Sequence, residues 1–370
     1  MTHILIAGAG KVGCTAAHLF CKYTAHSVTL IDQFDRSLIG DHFGARFTYE
    51  RLDVTQPGQL SQFINTHQVD AILCCLPFTL NAYILAAATE NNIHYFDLTE
   101  DVQSANAVKQ QSNNHTAAFV SQCGLAPGLV NMMAFALMAP FDQVHTVKLR
   151  CGGLPLRCNN ALAYSFTWSI EGLINEYIKP CQAVVDGSQV QTAAMGDLET
   201  LYINGQRYEA FNTSGGIGDM PRQCAGRVSA LDYKSIRYPG HCEKMKFLLH
   251  DLALNKQPQL LQQLLTAVIP HTQDDTVLLY VDVYGQNGAR FEQKTMAAQF
   301  YSHKIDDQCY SALAFVTAAS VAAVMDLVLQ LPQQFQGFIT QDRFTLPAVL
   351  ATPIGSLLKE REYASNFDAK

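Results

Sequence analysis

Short apolar runs recur through the first third of the chain, each ending on a small or polar residue. His3-Ile4-Leu5-Ile6-Ala7, Val28-Thr29-Leu30-Ile31, Phe47 to Leu52, Val69 to Leu76, Ile93 to Leu98 and Ala117 to Gln122 read as six strands. Helical stretches separate them, from Pro57 to about Thr66 and from Asn81 to Glu90. Val69 to Leu76 is almost wholly apolar, as expected of a strand buried on both faces, and Pro77 stops it. Strands joined by helical crossovers predict an α/β fold with a doubly wound parallel Rossmann sheet. From about Leu125 the pattern lengthens. Val144 to Gly152, Ala161 to Thr167, Val277 to Tyr284 and Arg290 to Ala297 read as longer strands, with hairpin turns at Asn204-Gly205 and Gln286-Asn287-Gly288. Helices are expected at Ser169–Tyr177 and His241–Leu254, so this part is a second, mixed α+β domain. The expected division is 1–124 for the sheet domain, completed by 311–370, and 125–310 for a substrate-binding and dimerisation domain. Gly337 to Thr340 and a helix over Leu346–Leu358 are expected to pack back on the first domain.

The first strand runs into Gly8-Ala9-Gly10-Lys11-Val12-Gly13, a G-x-G-x-x-G with a strand before it and a helix after it. Gly8 suits a tight turn, Gly10 lets backbone approach a pyrophosphate, and Gly13 lets the helix lie close to the sheet. The second strand ends in Asp32, about twenty residues beyond the last glycine, where a carboxylate accepts from ribose hydroxyls and repels a 2′-phosphate. The expected cofactor is therefore NAD. Arg36 is the opposing feature, since an arginine after the second strand can accommodate that phosphate. Ligands of such sheets bind beyond the strand C-termini. Asp53, Val54, Cys75, Leu76, Pro77, Leu98 and Gly124 fall on that edge with the glycines. The nicotinamide is expected by Cys75–Pro77, Leu98 and Gly124–Gly128.

Composition narrows the function classes. At 370 residues, 48% hydrophobic and 15% charged, the chain suits two packed cores. A formal charge of −7 without a basic run excludes a nucleic-acid surface. Eleven cysteines with no C-x-x-C and no signal peptide point to a reducing cytoplasm. They are expected as small apolar core residues, with no metal site. Tyr310 to Met325 carries no charge, yet it is short for a membrane span and Asp326 follows it. A buried helix between the two domains is expected there, and no membrane partner.

The second half resembles the saccharopine dehydrogenase family, and within it the L-lysine 6-dehydrogenase branch. The likeness is carried by Gly124-Leu125-Ala126-Pro127-Gly128-Leu129-Val130-Asn131, Cys151-Gly152-Gly153-Leu154-Pro155, Phe166-Thr167-Trp168-Ser169 with Glu171-Gly172-Leu173, Thr213-Ser214-Gly215-Gly216 and Lys234-Ser235-Ile236-Arg237-Tyr238-Pro239-Gly240-His241. Gly337-Phe338-Ile339 and Leu350-Ala351-Thr352 extend it to the C-terminal region. The resemblance implies a homodimeric or larger homo-oligomeric enzyme that oxidises the carbon next to an amine nitrogen of a small amino-acid substrate, with a nicotinamide cofactor. Saccharopine reductases of the group carry an acidic residue before the Pro-Gly of the first segment and an arginine near the fourth; here stand Ala126 and Thr213–Gly216. Both departures favour oxidative deamination of the L-lysine ε-amine. Ile217-Gly218-Asp219-Met220 departs from the lysine enzymes in turn. The alternatives are a saccharopine or carboxynorspermidine dehydrogenase or reductase, and a dinucleotide-binding sensor without turnover.

Amine oxidation needs a neutral nitrogen, whereas a free lysine amine has a pKa of about 10.4. His241, at the start of a helix, is one candidate proton acceptor; the other reading is a histidine that only caps the helix. Glu171 is the second candidate, or a first-turn carboxylate stabilised by the helix dipole. Arg237 suits a bidentate contact to an α-carboxylate, or is a solvated strand residue. Tyr164 and Trp168 suit a pocket wall or plain core, and Thr213 and Ser214 suit a carboxylate or an ordinary turn. Tyr164, Trp168, Glu171, Thr213, Arg237 and His241 are expected to converge on one cavity facing the nicotinamide.

Overall fold

The computed structural model describes residues 2–35, 43–112 and 115–359; Arg36 lies outside them. The described chain divides into two compact units, one ending at Met132 and resuming at Phe315, the other running from Met133 to Ala314.

The first unit is built on seven parallel strands: β1 (His3–Ala7), β2 (Ser27–Asp32), β3 (Phe47–Arg51), β4 (Ala71–Cys74), β5 (His94–Asp97), β6 (Ala118–Val120) and, from the far end of the chain, Gly337–Ile339. Read from β3 the order is β3-β2-β1-β4-β5-β6 and then the C-terminal strand, so the chain reverses direction across the sheet between β1 and β4. That is the doubly wound order, and its ligand edge lies where β1 and β4 end. Helices α1 (Lys11–Tyr23), α2 (Gln59–His67), α3 (Asn81–Asn91) and α4 (Val102–Gln111) form the crossovers. Leu5, Ile72, Tyr95 and Phe119 of the strands pack with Leu60, Ile64, Ile84, Leu85 and Val108 of the helices. Each such apolar side chain contributes about 1.5–3 kcal/mol on burial.

The second unit begins within α5 (Leu129–Met138). Its sheet is mixed. β7 (Gln143–Pro155) pairs in parallel with β12 (Ala230–Arg237), and the other pairings are antiparallel. β8 (Cys181–Val185), β9 (Ser188–Thr192), β10 (Glu199–Ile203) and β11 (Gln206–Asn212) lie on the β12 side. β13 (Asp275–Asn287) and β14 (Arg290–Tyr301) lie on the other, joined through a turn in which Gly288 has φ +59°. A separate ladder joins β15 (His303–Ile305) and β16 (Gln308–Tyr310). Helices α6 (Ile170–Ile178), α7 (Met220–Cys224), α8 (His241–Lys246) and α9 (Pro258–Val268) complete the unit. The chain then enters α10 (Ala312–Gln330), the C-terminal strand β17 (Gly337–Ile339) and α11 (Leu346–Ala351).

Several sequence expectations change. Ala161 to Thr167 forms no strand, only a single bridge from Phe166 to His271. Ala163 sits at φ +49°, and the Asn160 side chain accepts from Leu162 and donates to the Tyr164 carbonyl, which curls the segment. The helix expected over His241–Leu254 is interrupted: α8 stops at Lys246 and a wider turn follows. The C-terminal helix is shorter than expected because Pro353 follows soon after α11. Cys158 and Cys309 are exposed, unlike the core thiols expected; seven other cysteines are buried and all eleven are free. Among the described residues α10 alone is long and apolar enough to cross a membrane, and 83% of its apolar 18-residue window is buried within the protein. Its first N–H groups, on Ala312 and Leu313, donate to the buried Asp275 carboxylate at 2.6 and 3.1 Å.

Candidate active site

In the first unit, Gly8 turns the chain at φ +107° between β1 and α1. A Cβ at Gly13 would lie 2.0 Å from the Gly8 carbonyl oxygen, so only glycine lets the helix approach this turn. Gly10 differs. It has φ −79°, and a Cβ there would meet nothing within 4 Å, so the protein's own packing does not require it. The open space before it suits a ligand that must approach backbone. No side chain caps α1 and no acid stands in its first turn. Its N-terminal N–H groups and dipole therefore suit an anion such as a pyrophosphate.

Asp32 closes β2 beside this turn. Its Oδ2 accepts from the Ala9 N–H at 2.9 Å and its Oδ1 from the Phe34 N–H at 3.1 Å. A half-buried carboxylate fixed in this way keeps lone pairs for hydroxyl donors. Cys75 and Leu76 back the turn: the Cys75 N–H donates to the Ala7 carbonyl at 2.8 Å, and a Cβ on Gly8 would lie 2.9 Å from the Cys75 oxygen and 3.1 Å from Leu76 Cδ2. Pro77 and Lys11 are exposed and Val12 is half-buried. Leu98 packs on Gly124, where a Cβ would come within 3.1 Å of its Cδ2. Asp53 turns onto its own loop, bonded to Thr55 and to Gln56, and those donors hold its carboxyl below the usual range. Val54 packs on the core. The residues present thus fit a dinucleotide at Gly8–Gly13 and Asp32.

In the second unit the candidate chemistry is buried. Arg237 ends β12, 3% exposed. Its Nε donates to Tyr177 Oη at 2.8 Å, its Nη1 donates to the Ile236 carbonyl at 2.8 Å, and its Nη2 lies 3.6 Å from Glu176 Oε2. The guanidinium lies over the rings of Tyr164 and Tyr177, 5.3 and 5.7 Å from their centroids. Because Tyr177 Oη accepts from Arg237, its own hydrogen goes to His241 Nε2 at 3.0 Å. His241 Nδ1 in turn donates to the Leu162 carbonyl at 2.8 Å. Trp168 Nε1 donates to Tyr164 Oη at 3.2 Å and joins the same cluster. Thr213 Oγ1 shares a hydrogen bond with Ser235 Oγ at 2.7 Å, and Ser214 bonds to the Asn175 and Glu176 carbonyls.

These contacts change the expected roles. His241 has both ring nitrogens engaged, and burial, then the nearby Arg237 charge, push it down to about 3. It stays neutral and fixes the Tyr177 hydroxyl, with no free nitrogen to take a proton. Burial is the largest cause of that shift. Glu171 is exposed and contacts Gln262 Nε2 at 3.3 Å, because its position on α6 lies opposite the buried Leu173, Ile174 and Tyr177. It does not join the cluster. Arg237 is neither solvated nor open, since its donors serve Tyr177 and Ile236 and its charge lies 3.6 Å from Glu176 Oε2. Sequence reasoning missed Glu176, the acid on the buried face of α6. Burial pushes its carboxyl up, against the pull of Arg237, to about 7. Its Oε2 and Thr167 Oγ1 are the two buried side-chain oxygens among the described residues without a hydrogen-bond partner. The available signal was helical spacing, which puts Glu176 three residues after Leu173 on the apolar stripe. A second set, the buried Arg150 and Lys234 paired with the half-buried Glu199 and Asp232, was also not foreseen.

Two family models match in tandem: the saccharopine dehydrogenase NADP binding domain over residues 4–122 and the saccharopine dehydrogenase C-terminal domain over 124–363. The alpha-aminoadipic semialdehyde synthase of Arabidopsis thaliana is 26% identical over 168 residues, 44% of this chain and 15% of its own length. The saccharopine dehydrogenase [NADP(+), L-glutamate-forming] of Schizosaccharomyces pombe is 23% identical over 158 residues, 40% of this chain and 34% of its own length. The chain therefore spans only a minor part of the curated relatives it matches. The structure of saccharopine dehydrogenase (L-Glu forming) from Saccharomyces cerevisiae superposes with a TM-score of 0.77 at 15% identity, covering 97% of each chain, and shares the fold. A dinucleotide-binding sheet with its glycine turn, followed by a mixed-sheet unit, and tandem matches along nearly the whole chain lead to one assignment: the chain belongs to the saccharopine dehydrogenase family, whose members are oxidoreductases with a nicotinamide dinucleotide cofactor.

Proposed function

We propose that this protein is an NAD-linked dehydrogenase acting on the CH–NH group of an amino acid, with the secondary amine of saccharopine as first substrate class. The family match over both units carries the substrate class, and Asp32 beside the glycine turn carries the cofactor preference. A carboxylate that accepts ribose hydroxyls repels a 2′-phosphate. The bound cofactor supplies the hydride exchange at its nicotinamide ring. The protein supplies binding, orientation and proton placement. Gly10 and the α1 N-terminus would receive the pyrophosphate, and Asp32 the ribose. In the second unit Tyr177 and His241 hold Arg237 in place, and Glu176 Oε2 can carry or release a proton near neutrality. Such a group suits a reaction whose amine must be uncharged before it gives up hydride.

A second reading, oxidation of the primary L-lysine ε-amine, is favoured by two observations. Ala126 puts a methyl group before Pro127, and the buried cations Arg150, Lys234 and Arg237 of the second unit are already matched by carboxylates. That arrangement suits a substrate with fewer carboxylates than saccharopine. The test is to offer saccharopine and L-lysine with NAD and with NADP and follow reduced cofactor by absorbance. Turnover of saccharopine with NAD is the expected result; turnover of L-lysine alone selects the second reading. Cofactor binding with no turnover of either would overturn both. Asp32→Ala should weaken NAD binding by about 1.5–3 kcal/mol and narrow discrimination against NADP. Tighter NADPH than NADH binding by wild type defeats the preference.

A further inference from the structure

At the C-terminal end of β5 a single buried carboxylate organises two segments of the ligand edge. Asp97 is 1% exposed. Its Oδ1 accepts from the Thr99 N–H at 3.0 Å, the Gln122 N–H at 3.1 Å and Ser121 Oγ at 2.9 Å. Its Oδ2 accepts from Tyr95 Oη at 2.8 Å and from Ser121 Oγ at 3.0 Å. The Asp97 carbonyl receives the Cys123 N–H at 3.2 Å and the Cys123 thiol at 3.2 Å. Both chain segments that leave the sheet here, 98–99 after β5 and 121–123 after β6, are thus tied to one residue.

The far side of the second segment is clamped as well. Gln341 Nε2 donates to the Ser121 and Gln122 carbonyls at 3.0 and 2.8 Å, and Gln341 is itself buried. Gln122 is held at φ +63°, in the left-handed region that residues other than glycine adopt infrequently. The consequence falls on Leu98 and Gly124, which pack so closely that a Cβ on Gly124 would lie 3.1 Å from Leu98 Cδ2. A buried carboxylate needs its acceptor sites filled, since one unmade hydrogen bond to such a group is more unfavourable than to a neutral one. Here every acceptor site is used on backbone and hydroxyl donors of the ligand edge.

We propose that Asp97 is a positioning residue for the nicotinamide half of the cofactor site. It holds Leu98–Thr99 and Gln122–Gly124 in register while the glycine turn and Asp32, on the far side of β4, serve the adenosine half. The inference rests on the dinucleotide reading and is independent of which amine is oxidised. It predicts a split between the halves of the ligand, which a merely structural role would not produce.

The test titrates the purified full chain with NADH and with ADP-ribose, which lacks the nicotinamide, following fluorescence or heat. Asp97→Ala should weaken NADH at least tenfold and change ADP-ribose affinity less than twofold. Asp97→Asn keeps an acceptor for the Thr99 and Gln122 N–H groups and lets both hydroxyls turn to donate or accept, so NADH should bind within threefold of wild type. If Asp97→Ala does not fold, Ser121→Ala should show the same selectivity with a loss near threefold. Equal losses of both ligands, unchanged NADH binding by folded Asp97→Ala or Ser121→Ala, or an Asn variant as weak as the Ala variant would each overturn the role. Wild-type protein that binds neither ligand would overturn the dinucleotide reading, and this role with it.

Discussion

The two units arrange polar chemistry in opposite ways. At the first unit's glycine turn, backbone carries most of it: helix N–H groups, a glycine with open space before it, and one carboxylate held by two backbone N–H groups. In the second unit side chains carry it, and they are buried. Glu176, Tyr177, Arg237, His241 and Tyr164 come from α6, β12, α8 and a curled loop, and every one is less than a tenth exposed. The difference teaches where each region is vulnerable. A backbone site depends on local geometry and fails by steric clash. A buried charge cluster depends on its partners and fails when one is removed.

The largest effect should come from breaking the backbone site. Gly13→Ala would press a Cβ against the Gly8 oxygen, where neither group has room to yield, and should abolish dinucleotide binding and lower thermal stability. Gly10→Ala is its control. With no neighbour within 4 Å and an ordinary φ it should leave the melting temperature unchanged, while dinucleotide affinity falls. Equal stability losses in both variants would contradict the contrast.

Next is the charge cluster. Arg237→Met leaves Glu176 without its cation and should destabilise by about 3–5 kcal/mol in urea unfolding at pH 8. The loss should shrink at pH 5, where Glu176 is already protonated in wild type. A pH-independent loss would mean that Arg237 acts through packing alone.

The sign for Glu176 itself follows from linkage. Its folded pKa, about 7, lies above the ordinary 4.5, so its stabilising proton uptake is complete below about 4.5 and is lost as pH rises to 7. Glu176→Gln should therefore gain stability relative to wild type between pH 5 and pH 8, read as the difference in melting temperature. A difference that falls over this range would refute the raised value. The smallest effect belongs to Glu171→Gln, exposed beside Gln262, which should change stability by no more than about 0.5 kcal/mol and leave cluster titration unaltered.

The first unit was legible because its signals are local. A strand, three spaced glycines, a helix and an acid at the next strand's end lie within the first thirty-two residues, and each has a steric or electrostatic reason that needs no distant partner. In the second unit Arg237 and His241 drew attention by residue type, yet their partners Tyr177 and Glu176 lie about sixty residues away. Nothing local distinguishes a histidine that takes protons from one fixed between a tyrosine and a carbonyl. Glu171 shows the reverse case: it looked suitable beside the helix start, but the rotation of α6 turns it outward.

By itself, then, the order of apolar and small residues determined the parallel sheet, the glycine turn and the acidic end of β2. Periodicity and turn sterics act over a few residues and survive any packing around them. Tertiary structure alone decided that the seventh strand comes from Gly337–Ile339, and that Ala161 to Thr167 curls instead of pairing. It also decided that His241 is neutral, Glu176 is not an ordinary carboxylate and Asp97 ties two loops together. The physical reason is common to these cases. Strand partners, burial and hydrogen-bond satisfaction belong to groups brought together across long stretches of chain, and desolvation takes its value only once they meet.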